Sequence, residues 1–352
     1  MSRRRKAPQA NAAPHPVVFR WDLDKTYLKS EFDSLRELVK IPFEKPEDKI
    51  AVPGVVPLIR NLRSVAATAG RDSWIYFISA SPPQIAKAIK DKLTLDGVEY
   101  DGITFKNQLQ HIVRGRFRNL REQVGYKLTE LLRARPNFPP LAKEVLFGDD
   151  WESDPIIYSL YADILAGHIA HDDIRSILEI VGVDSRLITE TESLAKAIPV
   201  IDAVERIYIN LERRTPPDTF EQFGPRLVPA FNYFQTACCL FQDGYLNLAA
   251  VAEVAAHLTS NSGYTPVRLS NSLADIARRG HLQEVNTIAI AEYMYGRGLL
   301  PPPRRQAGER LALWERIRRW LRSRGKQMME MPRAQPAPIN YHNLIMERRQ
   351  SR

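Results

Sequence analysis

Two carboxylates placed two residues apart, Asp22 and Asp24, close the apolar run Val17-Val18-Phe19-Arg20-Trp21, and the hydroxyl of Thr26 follows two residues later. On a strand this spacing puts both carboxylates on one side. A buried strand does not tolerate two unpaired carboxylates, so the pair belongs where the strand ends. In an open α/β sheet that end is where ligands bind. The competing reading is a solvated turn after an ordinary strand. A second acidic strand end, Gly148-Asp149-Asp150-Trp151-Glu152-Ser153-Asp154, follows the apolar residues Val145-Leu146-Phe147. Crowded carboxylates repel one another, and a metal ion or an outside cation is the usual remedy. Between the two lies Trp74-Ile75-Tyr76-Phe77-Ile78, ending in Ser79-Ala80-Ser81-Pro82. Hydroxyls just before a helix suit the holding of a phosphate through Oγ–H and free backbone N–H groups. Simple capping by Ser81 accounts for the same residues.

These groups need elements that bring them together. Three apolar runs separated by helical segments predict a parallel sheet whose carboxyl ends share one edge, where both acidic clusters and Ser79 converge. The intervening chain reads as a helix within 32–39, a proline-marked loop at 41–46, a helix over 54–69 stopped by Gly70, and a helix starting at Pro83 or Gln84. A short strand at 102–105 and a basic helix over 117–133 follow. Lys127 lies on that helix and means nothing in isolation.

Composition sets the outer bounds. The chain has 352 residues, of which 44% are hydrophobic, enough for one large domain or two ordinary ones. The adjacent Cys238 and Cys239 cannot form a disulfide framework and read as small buried residues in a reducing compartment. No apolar run approaches the roughly 18 residues of a membrane span, so a cytoplasmic protein is expected. The net charge of +9 is concentrated at the ends: residues 301–352 hold 13 Lys and Arg against 4 Glu, and Arg3, Arg4, Arg5 and Lys6 add four more cations. The body from 17 to 300 is left at −4 by difference. Residues 1–16 lack periodicity and read as a disordered basic tail.

Taken together, the motifs resemble those of the haloacid dehalogenase superfamily of phosphohydrolases. Its DxDxT motif is matched by Asp22, Asp24 and Thr26, its strand-end Ser or Thr by Ser79, its helix-borne Lys best by Lys127, and its GDxxxxD motif by Gly148, Asp149 and Asp154. Within the superfamily, the runs from Phe77 to Pro82 and from Phe147 to Tyr158 are similar to the catalytic domain of the actin-patch phosphatidate phosphatase family. The resemblance implies an α/β fold with a Rossmann-like parallel sheet and helices on both faces. It implies a phosphomonoester hydrolase working through an aspartyl phosphate on Asp22, with Asp24 as general acid and base, and Ser79 and Lys127 on the phosphate oxygens. Mg2+ would be held by Asp22, the Asp24 carbonyl and Asp149, with Asp150 or Asp154 orienting its shell, and Thr26 and Ala80 would complete the phosphate site.

The resemblance covers about 17–165. A helical insertion is expected at 164–199, followed by a postponed strand at 206–211, so that the phosphatase domain runs over 17–245. His168 and His171, beside Asp172 and Asp173, form either a metal pair or a solvated helix face. The periodicity is helical from Pro229 to Gly298, and residues 246–300 read as a helical region without nameable chemistry. Beyond Pro301-Pro302-Pro303, residues 309–324 place Leu311, Trp314, Ile317, Trp320 and Leu321 on one face of a basic amphipathic helix, and 326–352 read as a tail. Neither gap between the first three motifs holds a large cap, which suits a large substrate: a lipid surface, a protein or a nucleic acid end, with phosphatidate the lipid that the narrower resemblance implies. The insertion is open to a lid role. The C-terminal helix points to peripheral membrane contact or to docking on the protein's own core. A polynucleotide or protein phosphatase and a non-enzymatic scaffold stay open as alternatives, nucleic acid stays open as a partner, and the oligomeric state is not legible.

Overall fold

The computed structural model describes residues 15–29, 50–79, 85–105, 120–151, 153–301 and 338–350. Its centre is a six-stranded sheet in the order β3-β2-β1-β4-β5-β6, parallel at every pairing. The strands are β1 (Val17–Asp22), β2 (Ser73–Ser79), β3 (Gly102–Phe105), β4 (Lys143–Asp149), β5 (Val204–Asn210) and β6 (Leu227–Ala230). All six residues of β1 are buried, as a central strand covered on both faces requires. The chain winds outward from β1 through β2 to β3, then crosses back to β4 on the other side of β1. The carboxyl ends of β1 and β4 therefore flank the point where strand order reverses, where connections diverge and leave a crevice.

Alternation along the strands sorts the helices into two layers. Val17, Phe19 and Trp21 of β1, with Phe147 and Tyr208, face a core formed with α1 (Val55–Thr68), α2 (Ala86–Leu95), α7 (Tyr233–Gln242), α8 (Leu248–Ser262), α9 (Pro266–Arg278) and α10 (Glu284–Gly296). Ile78, Leu146, Ile207 and Ile209 face the other core, with α3 (Leu120–Ala134), α4 (Asp154–Leu165), α5 (His171–Val181), α6 (Ser185–Ala197) and α11 (Tyr341–Gln350). Cys238 and Cys239 are free and buried in the first core. Helices α8 to α10 are part of this core, since Val254 and Leu258 pack in one cluster with Phe19 and Leu58.

Helices α5 and α6 occupy the stretch between α4 and β5, and β5 then pairs with β4 in the same sheet. The turn between them ends α5 at Gly182 in the left-handed region, and Asp184 caps α6 by accepting from the Arg186 N–H. This helix pair packs on α3, where the hydroxyls of Thr129 and Thr191 lie 2.8 Å apart. The approach is close: a Cβ on Gly125 would lie 2.8 Å from Leu187 and 2.9 Å from Val183.

Two expectations need correction. Leu227–Ala230 is an edge strand where helical periodicity was expected from Pro229 onward; an edge position tolerates the missing N–H of that proline. Residues 326–352 are not wholly a tail, because α11 docks through Tyr341, Leu344 and Ile345, and the Tyr341 hydroxyl donates to Asp163 at 2.6 Å. The expected helix within 32–39, the loop at 41–46, Ala80, Ser81 and the basic helix over 309–324 lie outside the described residues. Among the described residues no helix is long and apolar enough to cross a membrane.

Candidate active site

The strand ends at the reversal point carry the acidic groups. Asp22 ends β1, Asp149 ends β4, and Asp154 opens α4 five residues later. One oxygen from each lies within 4.8 Å of the others, and all three side chains are buried. Lys127 reaches this group from α3, fully buried, with Nζ 2.7 Å from Asp22 Oδ1 and 2.6 Å from Asp154 Oδ1. Asp154 also accepts from the Asp149 backbone N–H at 3.3 Å, while Asp149 Oδ1 accepts from the Trp151 N–H at 2.6 Å. The glycine of the motif is dictated by this geometry. A Cβ on Gly148 would fall 2.4 Å from Asp154 Oδ2 and 2.6 Å from its Cβ.

Of the remaining predicted residues, Asp24, Thr26 and Ser79 lie at the same strand ends, whereas Asp150, His168 and His171 stand apart. Ser79 ends β2 and donates to Asp24 Oδ2 at 3.2 Å; Thr26 Oγ1 lies 3.5 Å from Asp22 Oδ2. Ala80 lies outside the described residues. Asp150 stands apart: its two oxygens accept from the backbone N–H groups of Arg213 at 2.8 Å and Thr215 at 3.0 Å. It thereby holds the loop after β5, where Arg214 adopts a φ of 59°. His168 contacts Asp163 at 3.4 Å, and neither it nor His171 joins the three-carboxylate group. The insertion helices, for which a lid role was open, pack behind α3, the helix that carries Lys127.

Several contributors had no signal in the sequence. Trp151 sits beside the cluster with Lys25 Nζ 3.6 Å and the Arg213 guanidinium 4.9 Å from its ring centroid. The loop after β1 is held from outside by Asn210 and Tyr233, whose side chains donate to the carbonyls of Lys25 and Thr26. The Tyr233 and Tyr158 phenols are pushed well above their ordinary pKa, by burial first and then by carboxylates of the cluster, so both remain hydrogen-bond donors. A cleft of about 1050 Å³ is lined by Lys29, Val52, Asn210, Phe231, Tyr264 and Arg268 among others, and none of Asp22, Asp24, Ser79, Lys127, Asp149 or Asp154 lines it.

No curated protein and no solved structure matches the chain. A family model does: that of phosphatidate phosphatase APP1, catalytic domain, over residues 21–176. The match begins at the last apolar residue before Asp22, takes in Ser79, Lys127, Asp149 and Asp154, and stops short of Asn210 and Tyr233. The stretch 21–176 is thus similar to the catalytic domain of an APP1-type phosphatidate phosphatase, the similarity carried by the runs from Phe77 to Pro82 and from Phe147 to Tyr158.

Proposed function

We propose that this protein is a Mg2+-dependent phosphomonoester hydrolase of the haloacid dehalogenase type, acting on phosphatidate through an aspartyl phosphate on Asp22. The observation that carries the reading is the meeting of Asp22, Asp149 and Asp154 around Lys127 at the strand-order reversal. Three carboxylates within 4.8 Å offer only hard oxygen donors. That set fits Mg2+, which binds through one or two carboxylates and keeps several waters, and it lacks the imidazole and thiolate donors that softer metals favour. Asp22, Asp149 and Asp154 would hold the ion, with Asp24 contributing its carbonyl. When bound, it supplies positive charge that offsets the repulsion between a carboxylate nucleophile and a phosphate dianion.

The chain's own residues then divide the work. An oxygen of Asp22 attacks phosphorus, the bond from phosphorus to the ester oxygen breaks, and that oxygen takes a proton from Asp24. Water next attacks the phosphorus of the aspartyl phosphate, gives its proton to Asp24, and frees Asp22 and inorganic phosphate. Ser79, Thr26 and Lys127 hold the phosphate oxygens while charge builds on them. Asp150 supports the site through the loop at 213–215 and is not among the ligands in this reading. The basic amphipathic stretch at 309–324 would attach the enzyme to an anionic membrane from the cytoplasmic side.

Phosphate release from phosphatidate in mixed micelles tests the reading, with Mg2+ and with a chelator. Nucleotide, sugar and phosphopeptide esters serve as rival substrates. The wild type should turn over phosphatidate only with the metal, and Asp22→Asn should fold normally and lose about three orders of magnitude or more in kcat. Undiminished turnover by Asp22→Asn would refute the assignment of the nucleophile, and preference for a rival ester would replace the lipid.

A further inference from the structure

The turn that follows Asp22 is held in a conformation its own sequence does not favour. The Leu23 carbonyl accepts from both the Tyr27 and Leu28 N–H groups at 3.0 Å, the Lys25 N–H donates to the Leu28 carbonyl at 2.8 Å, and Lys25 has a φ of 61°. A lysine has no glycine-like freedom in that region, so the surrounding structure must over-determine the turn. Asp24 sits inside it, one residue before the strained position, and displacement of the turn would move the carboxylate from Ser79, which donates to it at 3.2 Å.

Two side chains from distant parts of the chain meet the turn's outward carbonyls. Tyr233, the first residue of α7, donates its hydroxyl to the Thr26 carbonyl at 2.5 Å. Asn210, the last residue of β5, donates from Nδ2 to the Lys25 carbonyl at 3.4 Å. Both are buried. The Tyr233 ring is itself fixed: its centroid lies 6.0 Å from that of Trp21, whose indole stacks on Phe147 at 3.7 Å and an interplanar angle of 1°. The start of α7 is pinned by Asn232, which caps it by accepting from the Gln235 N–H at 3.1 Å.

We infer that Tyr233, assisted by Asn210, is a positioning residue that clamps the Lys25–Thr26 backbone and so fixes Asp24 relative to Asp22. The catalytic part of the inference rests on the reading of these two aspartates given above. It also extends the working unit beyond the stretch similar to the phosphatidate phosphatase domain, because both clamp residues lie past residue 176. A clamp that acts on orientation affects the chemical step more than substrate binding.

The test uses the full chain carrying Tyr233→Phe, which keeps the buried ring and removes only the hydroxyl. Tyr208→Phe is the control: it deletes a comparably buried hydroxyl that bonds Asp243 at 3.0 Å and not the turn. With Mg2+ and a soluble aryl phosphate, Tyr233→Phe should lower kcat by roughly 10- to 100-fold with KM within about twofold. Amide hydrogen exchange should quicken in the peptide covering 23–29 and nowhere in β4 or β5. Tyr208→Phe should match the wild type in kcat and in exchange at 23–29. Wild-type kcat and exchange in Tyr233→Phe would overturn the clamp. Should the wild type hydrolyse no phosphate ester, the catalytic reading fails, and exchange at 23–29 still decides the clamp: quickened supports it, unchanged overturns it. Should Tyr233→Phe unfold, Asn210→Ala takes its place, with a smaller loss expected in the same two readouts and no change in either counting against the proposal.

Discussion

Two buried charge clusters lie on β1 only two residues apart, and they differ in kind. At Arg20 one carboxylate is held by two guanidinium groups: Arg20 Nε lies 2.7 Å and Arg135 Nε 3.3 Å from the oxygens of Glu144, and the Tyr161 hydroxyl donates to Glu144 at 3.0 Å. Burial alone would lower the Arg20 pKa, yet Glu144, together with Tyr161 and Tyr158, offsets this and holds it above its ordinary value. At Asp22 the proportion is inverted, with three carboxylates gathered about one lysine. A cluster rich in cations around one acid ties β1, β4 and the turn after α3 together. A cluster rich in acids can admit a divalent cation, and it stands where the strand order reverses. Equal burial and near-equal position thus carry different roles, and the sign of the excess charge tells them apart.

The same chemical change made in each cluster should separate those roles. Glu144→Gln would leave two buried arginines without their carboxylate, and a loss of about 3–5 kcal/mol is expected from denaturant unfolding. Asp22→Asn removes one of three neighbouring carboxylates and should alter stability by less than about 1 kcal/mol. Similar losses in both variants would break the comparison. An effect between these two is expected at Gly148, where a Cβ would press on Asp154. Gly148→Ala should cost about 1–3 kcal/mol and weaken metal binding, because Asp154 must move from Lys127 and Asp149. A variant that binds Mg2+ as the wild type does would show that Asp154 is dispensable to the cluster.

Much of this was legible in the sequence because parallel strands are buried on both faces and appear as unbroken apolar runs, so the acids at their ends stand out. The positions of Asp22, Ser79 and Asp149 follow from that contrast, whereas Lys127, on a helix, was identified only through the family resemblance. Asp150 was not separable from Asp149, since adjacent residues of one type differ only in where the backbone aims them. Tyr233 and Asn210 left no trace because their partners are backbone carbonyls, which any sequence supplies. The strand at Leu227–Ala230 is too short to show a period and contains a proline, and α11 shows only Tyr341, Leu344 and Ile345 as apolar anchors.

The central claim is that the acid-rich cluster binds a divalent cation, and the most direct measurement is the unfolding free energy of the full chain with and without Mg2+. Binding to the folded state alone stabilises it by mass action, about 1–1.5 kcal/mol when the ion is at roughly ten times its Kd. The wild type and Glu144→Gln should gain the same increment, and Asp149→Asn should gain none. An equal increment in Asp149→Asn, or none in the wild type, would contradict the account.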